Sequence, residues 1–140
     1  MSDGNDFLRS MSIATSGLRA QAGRMRVISE NIANADSTAK TAGGDPYRRK
    51  IPTFSSELDR TIESRVVTLG KIKTDTSDFR VKHEPGNPSA DASGNVKYPN
   101  VNSLVEMTDM REAQRSYEAN LNIISATRRM IQRTLDILKA

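Results

Sequence analysis

The sequence predicts a mainly α protein with a small β middle: long N- and C-terminal helices paired as a coiled coil, joined by an irregular, β-hairpin central segment. Three observations predict it. Apolar residues recur every seven positions near each end, all five prolines fall between residues 36 and 100, and residues 101–140 contain neither glycine nor proline. A seven-residue repeat keeps one stripe of a helix facing a partner, whereas proline and glycine punctuate turns. The expected organisation is an N-terminal helix over residues 1–35, a central β and loop segment over 36–100 and a C-terminal helix over 101–140. The two helices together would make an inner coiled-coil domain.

In the first zone Met11, Leu18, Met25 and Ile32 stand seven apart and form a thin, one-sided seam. Gly17 and Gly23 each cost about 1 kcal/mol relative to alanine inside a helix, so this segment needs a partner surface to hold its shape. In the middle zone, Ser56 to Glu63 reads as a short helix weakly capped by Ser56 and Asp59. Arg65 to Lys73 and Asp78 to Glu84, the latter alternating Phe79, Val81 and His83 with polar residues, read as the two strands of a hairpin. Residues 86–95 read as a loop, with a short returning strand at Val96 to Tyr98.

The last zone repeats the seam more strongly. Met110, Tyr117, Ile124, Ile131 and Leu138 are seven apart, and Leu121 and Leu135 follow at the offset of four. Ser103 and Glu106 fit a capping box. A helix from about 103 to about 138 would then be roughly 50 Å long at 1.5 Å per residue, out of proportion to a compact globule of this size. Ala113, Asn120, Thr127 and Thr134 form a neighbouring row of small or polar residues. They either let a partner helix approach closely and fix its register, or edge a solvated flank.

Composition removes most chemistries. The chain has 140 residues, 36% of them hydrophobic, six aromatics, no cysteine and one histidine. Leu, Ile, Val and Phe number 28, or 20%, at the edge below which a highly charged chain fails to bury a core, yet the formal net charge is only +4. Cysteine nucleophiles, disulfides and thiolate or histidine-cluster metal sites are excluded. His83 and Glu84 are adjacent on a strand and point to opposite faces. Gly43-Gly44 lacks the spacing of a phosphate loop, and Asp75 and Asp78 lack the glycine and glutamate of a calcium loop. No catalytic constellation is present, and no enzyme activity, cofactor, metal or small-molecule substrate is expected.

Arg48-Arg49-Lys50 is the single run of three basic residues, in a chain of pI about 9.6. Basic minus acidic residues come to 4 − 3 in residues 1–35, 11 − 9 in 36–100 and 6 − 5 in 101–140, so no zone concentrates a field. The run therefore reads as a solvated strand edge or a charge-paired contact between subunits, and no nucleic-acid partner is expected. No apolar run reaches the roughly 18 residues of a membrane span. Met1-Ser2-Asp3-Gly4-Asn5-Asp6 carries acid where a secretory signal is basic, so a cleavable signal is not expected. That argues for cytoplasm without addressing export routes that use no such signal.

Two thin seams at opposite ends of one chain leave apolar surface for other copies to complete. The physics points to assembly, with a soluble coiled-coil adaptor or secretion chaperone as the alternative.

Particular residues then become recognisable. Ser29-Glu30-Asn31-Ile32-Ala33-Asn34, followed by Asp36-Ser37-Thr38, resembles the signature at the end of the N-terminal helix in bacterial flagellar rod, hook and hook-associated proteins. Within that signature Ser29, Asn31, Ala33, Asn34 and Thr38 carry the likeness, and Asp36-Ser37 replaces a more usual asparagine-rich wording. Pro46-Tyr47-Arg48-Arg49-Lys50, Tyr98-Pro99-Asn100-Val101-Asn102 and the run Glu112 to Asn120 narrow the resemblance to proximal rod members of this family, over nearly the whole chain.

The resemblance implies a structural subunit of the flagellar rod, the shaft that crosses the periplasm and transmits torque. It implies paired terminal helices packed against copies of the chain and other rod proteins, with delivery through the flagellar type III export apparatus. The expected subunit interface comprises Met11, Leu18, Met25, Ile32, Met110, Tyr117, Leu121, Ile124, Ile131, Leu135 and Leu138, together with Arg48, Arg49 and Lys50. Asn31 and Asn34 are expected to close the first helix by binding turn backbone.

Overall fold

The computed structural model describes residues 2–140, with side chains from residue 4 onward, so the acidic side chains up to Asp3 lie outside the described residues. Two long helices bracket six short strands: α1 (Ser2–Ala33), β1 (Lys50–Ile51), β2 (Phe54–Asp59), β3 (Ser64–Leu69), β4 (Lys73–Thr74), β5 (Arg80–His83), β6 (Asn95–Tyr98) and α2 (Ser103–Lys139). The strands form three separate antiparallel ribbons, β1 with β4, β2 with β3 and β5 with β6. The mainly α class with terminal helices and a small β middle is the one the sequence predicts. No helix among the described residues is long and apolar enough to cross a membrane.

The chain divides into two compact units. The first comprises Met1–Met25, Thr53–Lys71 and Glu112–Ala140; the second comprises Arg26–Pro52 and Ile72–Arg111.

In the first unit α1 and α2 meet antiparallel. Arg24 lies 3.6 Å from the Glu112 carboxylate, and a Cβ added at Gly17 would stand 2.9 Å from the Asn120 side-chain amide. As one residue number rises the other falls. The deepest positions are small: Ala14, Ala20, Ala113 and Thr127 are all at most 3% exposed. Of the row left open between close approach and a solvated flank, Ala113, Asn120 and Thr127 thus support close approach, while Thr134 is exposed and donates its hydroxyl to the Met130 carbonyl.

The two glycines expected to weaken α1 are contact points, since bare Cα atoms let neighbours come nearer than a side chain permits. Gly17 receives Asn120, and Gly23 receives Leu69 of β3, whose Cδ2 would be 2.8 Å from an added Cβ. The backbone amide of Val67 also donates to Ser16 Oγ on α1 at 3.2 Å.

Ser56 to Glu63 is not a helix. Residues 54–59 form β2, paired in register with β3 from Phe54↔Leu69 to Asp59↔Ser64. The β-branched Val66 and Val67 supply a strand partner that eight residues of marginal helix cannot outweigh. Asp59 caps the turn instead, its Oδ1 accepting the Thr61 amide at 2.9 Å, and Glu63 takes a left-handed conformation, φ 50°.

The second unit buries Val27, Ile28, Ala35, Val96 and Val101. The predicted pairing of the 65–73 strand with the 78–84 strand does not form. β5 pairs with β6, from Arg80↔Tyr98 to His83↔Asn95. The loop between them is closed by Asp91, whose Oδ1 accepts the amides of Ser93 and Asn95 at 2.8 and 2.9 Å, so the longer connection has its own internal bonds.

The start of α2 also differs from the expected capping box. Asn102 is the cap: its Oδ1 accepts the Leu104 and Val105 amides at 3.1 and 3.4 Å. Glu106 does not reach back to Ser103, because stronger partners hold it in the interior.

Candidate functional site

Glu106 is 1% exposed and Asn31 is fully buried. Such groups are tolerated inside a protein only when every polar atom is satisfied, and here they are. Asn31 Nδ2 donates to the Lys50 carbonyl at 2.8 Å and to Glu106 Oε2 at 3.1 Å. Its Oδ1 accepts the Lys50 amide at 2.9 Å and the Tyr47 hydroxyl at 2.7 Å. All four hydrogen-bonding capacities of the amide are used. Asn31 thereby pairs with both backbone groups of Lys50, as a neighbouring strand would.

The other Glu106 oxygen accepts from Arg49 Nε, and the same guanidinium lies 3.7 Å from both Asp75 and Asp109. Asn100 completes the frame. Its Oδ1 accepts the Arg49 amide at 2.8 Å, and its Nδ2 donates to the Asp75 carbonyl at 3.1 Å. Burial works against the Arg49 charge, but the Glu106 hydrogen bond and the three surrounding carboxylates outweigh it and raise the pKa above the usual value. Burial, followed by the charges of Glu30 and Glu106, pushes the Tyr47 phenol up to about 12. The bonds that Asp75 accepts from Ser77, and then the Arg49 charge, hold its carboxyl below the ordinary range.

The basic run is engaged within the chain. Arg49 sits in this cluster, Lys50 pairs with Glu30, and Arg48 lies over the Phe79 ring, 4.1 Å from its centroid. In the motif after Ser29, the Asn34 side chain donates to the Glu30 carbonyl at 2.8 Å, closing α1 on itself. Ser29 and Ala33 are exposed, and Asn34 and Thr38 are half-buried.

The seam residues divide. Met11, Leu18, Met25, Ile32, Met110, Tyr117, Ile124 and Ile131 are half-buried. Leu121, Leu135 and Leu138 are 46%, 45% and 77% exposed, as are Ile123, Met130 and Ile137 at 48%, 47% and 76%. Near the helix ends an apolar cavity of about 290 Å³ opens between Phe7 and Leu8 on α1 and Ile131 and Leu135 on α2. A run of large apolar side chains left this open is unusual for a free surface.

The polar cluster and the open helix faces together describe a building block rather than a pocket for chemistry, and comparison with known proteins gives the same result. Residues 92–137 match the C-terminal family of flagellar basal body rod proteins of the FlgEFG type, and residues 11–39 match the flagella basal body rod protein family. The flagellar basal-body rod protein FlgC of Agrobacterium fabrum is 56% identical over 91% of this chain and 92% of its own length. This chain belongs to the FlgC family of flagellar basal-body rod proteins.

The FlgC proteins of Bacillus subtilis and of Escherichia coli O6:H1 are 40% and 36% identical, over 93% and 94% of the chain. Membership in the FlgC family makes the chain a structural subunit of the basal-body rod, which assembles with other rod components, and the family is not one of enzymes. Sequence reasoning missed the role of Glu106. Of the motif segments that carry the resemblance, Asn31 and Arg49 bond to it directly, while Tyr47, Lys50 and Asn100 bond to those two.

Proposed function

We propose that this subunit polymerises through the exposed apolar faces of α1 and α2, packing against copies of itself and other rod proteins to form the shaft that crosses the periplasm and carries torque. In this reading residues 1–35 and 101–140 form the inner coiled-coil layer, and residues 36–100 form the part that links or faces outward. The expected interface residues Leu121, Leu135 and Leu138 belong to the exposed stripe, whereas Met11, Leu18, Met25, Ile32, Met110, Tyr117, Ile124 and Ile131 flank it. The observation that carries the reading is the 45–77% exposure of large apolar side chains along the second half of α2, surface that a neighbouring helix would remove from water.

Delivery to the growing rod would use the flagellar type III export apparatus. Arg49 and Lys50, having partners within the chain, would support the interface by shaping it rather than by bridging to a neighbour. The adaptor or chaperone alternative is not favoured by likeness to rod proteins over 91% of the chain.

Leu138→Asp tests the proposal. The side chain is exposed, so the variant should be made and exported at normal levels, yet cells carrying it should build no rod and lose motility. Normal motility with Leu138→Asp and Leu121→Asp together would overturn the helix-face assignment.

A further inference from the structure

Two strand edges remain open, and they match each other. In the β2–β3 ribbon, Gly70 donates its amide to the Thr53 carbonyl at 2.7 Å. Extending that register makes Ser55, Glu57 and Asp59 the positions bonded to β3, so the backbone groups of Ser56 and Leu58 point away from it. The opposite edge, on β3, is used: the Val67 amide reaches Ser16. In the β5–β6 ribbon the Glu84 amide donates to the Gly94 carbonyl at 2.8 Å. There Arg80 and Lys82 bond to β6, and the backbone groups of Val81 and His83 point outward. Among the described residues the outward N–H and C=O groups of these four residues have no backbone partner. Unpaired edges of this kind are templates for a further strand, and proteins usually shorten, cover or charge them.

The two edges are charged with opposite signs. β2 carries Glu57 and Asp59 beside Leu58, and β5 carries Arg80 and Lys82 beside Val81. Leu58 and Val81 are 63% and 59% exposed. Laid antiparallel with Leu58 opposite Val81, the outward groups of Ser56 and His83 also face each other. Glu57 then falls opposite Lys82, and Asp59 opposite Arg80. Arg80 is held in place by the Pro99 and Ala35 carbonyls at 3.1 and 2.9 Å, and Lys82 lies over the Tyr98 ring, so both cations stand on one face of β5. Like-with-like pairing is disfavoured. β5 against β5 centred on Val81 sets Arg80 opposite Lys82, and β2 against β2 centred on Leu58 sets Glu57 opposite Asp59.

We propose that β2 of one copy of this chain adds to β5 of a second copy, forming an antiparallel strand contact in the register Leu58↔Val81. The contact uses two different surfaces and is therefore head-to-tail, the type that continues into open helical assemblies instead of closing as a dimer. It adds to the helix-face packing proposed above and rests on different residues.

The absence of native cysteine makes the test direct. Full-length Leu58→Cys and Val81→Cys are purified separately, mixed at high concentration and oxidised; opposed strand residues lie within disulfide reach. The mixture should give a disulfide-linked pair of unlike chains, well above the linkage of either variant alone. Glu57→Lys in the Leu58→Cys chain should reduce the rate of linkage about five- to tenfold, since it turns an attraction into a repulsion. Lys82→Glu in the Val81→Cys chain should then restore it. A mixed yield no greater than that of either variant alone, or no rescue by Lys82→Glu, overturns the proposal. Leu138→Asp introduced into both chains should leave the linkage intact, which separates failure of this contact from failure of the helix faces.

Discussion

The two compact units bury opposite kinds of surface. The second encloses charge and amide: Asn31 and Glu106 are at most 1% exposed, and each finds its partners inside the chain. The first fully encloses little more than alanine, threonine and bare glycine backbone, half-buries Leu18 and Ile124, and leaves Leu121, Met130, Leu135 and Leu138 largely in water. A buried hydrogen-bonded network specifies one arrangement, because each alternative strands a charge. A thin seam of small residues specifies close approach and leaves the flanking apolar surface available to a neighbour. One unit is complete within the chain, and the other, in the reading proposed above, is finished by assembly.

The sharpest way to break this contrast is Glu106→Ala. It leaves Arg49 and Asn31 without their shared partner and should lower stability by about 3 kcal/mol, seen as an earlier urea midpoint. A loss under about 1 kcal/mol would mean that the network contributes no more than an exposed pair. In the first unit Ala113→Leu should cost about 2 kcal/mol by overpacking, since Ala113 is fully buried. An unchanged thermal midpoint would show that α1 and α2 separate readily there.

A pH titration sharpens the same comparison. The Tyr47 phenol is raised from 10.0 to about 12, so between those values the unfolded chain loses a proton that the fold retains. Stability conferred by the protonated phenol is present below about pH 10 and is lost as pH rises toward 12. Urea midpoints collected across that window should fall, and Tyr47→Phe should flatten the decline. The smallest effect belongs to Leu138→Asp, which at 77% exposure should change monomer stability by no more than about 0.5 kcal/mol while removing rod assembly.

Much of the fold was legible because it rests on local periodicity. α2 spans Ser103–Lys139 and α1 ends at Ala33, close to where the seven-residue repeats and the proline distribution place them. The strand partners were not legible. β3 could pair forward or back, and the decision lies in long-range packing of Leu69 against Gly23 and Val67 against Ser16, which no local window contains. The innermost helix row was half legible: on α2 the small residues Ala113, Asn120 and Thr127 stood out as one of two readings, but on α1 periodicity weights bulky residues such as Leu18, whereas closest approach selects Ala14 and Gly17. The same limit explains Glu106. Its spacing from Ser103 fits a cap, and only the folded chain brings Arg49 and Asn31 to it.

The distance along the chain between Asn31 and Glu106, 75 positions, sets an order of events. Closing a loop of that length costs roughly 4 kcal/mol in chain entropy, and nothing short of Glu106 can offer Asn31 its carboxylate. A chain supplied N-terminus first would find Tyr47 and Lys50 for Asn31 early, yet leave it one partner short until most of the sequence had followed. The polar interior is thus a check on how far the chain has come: a subunit cut before Glu106 cannot close it, and a longer one closes it once the first turn of α2 has followed.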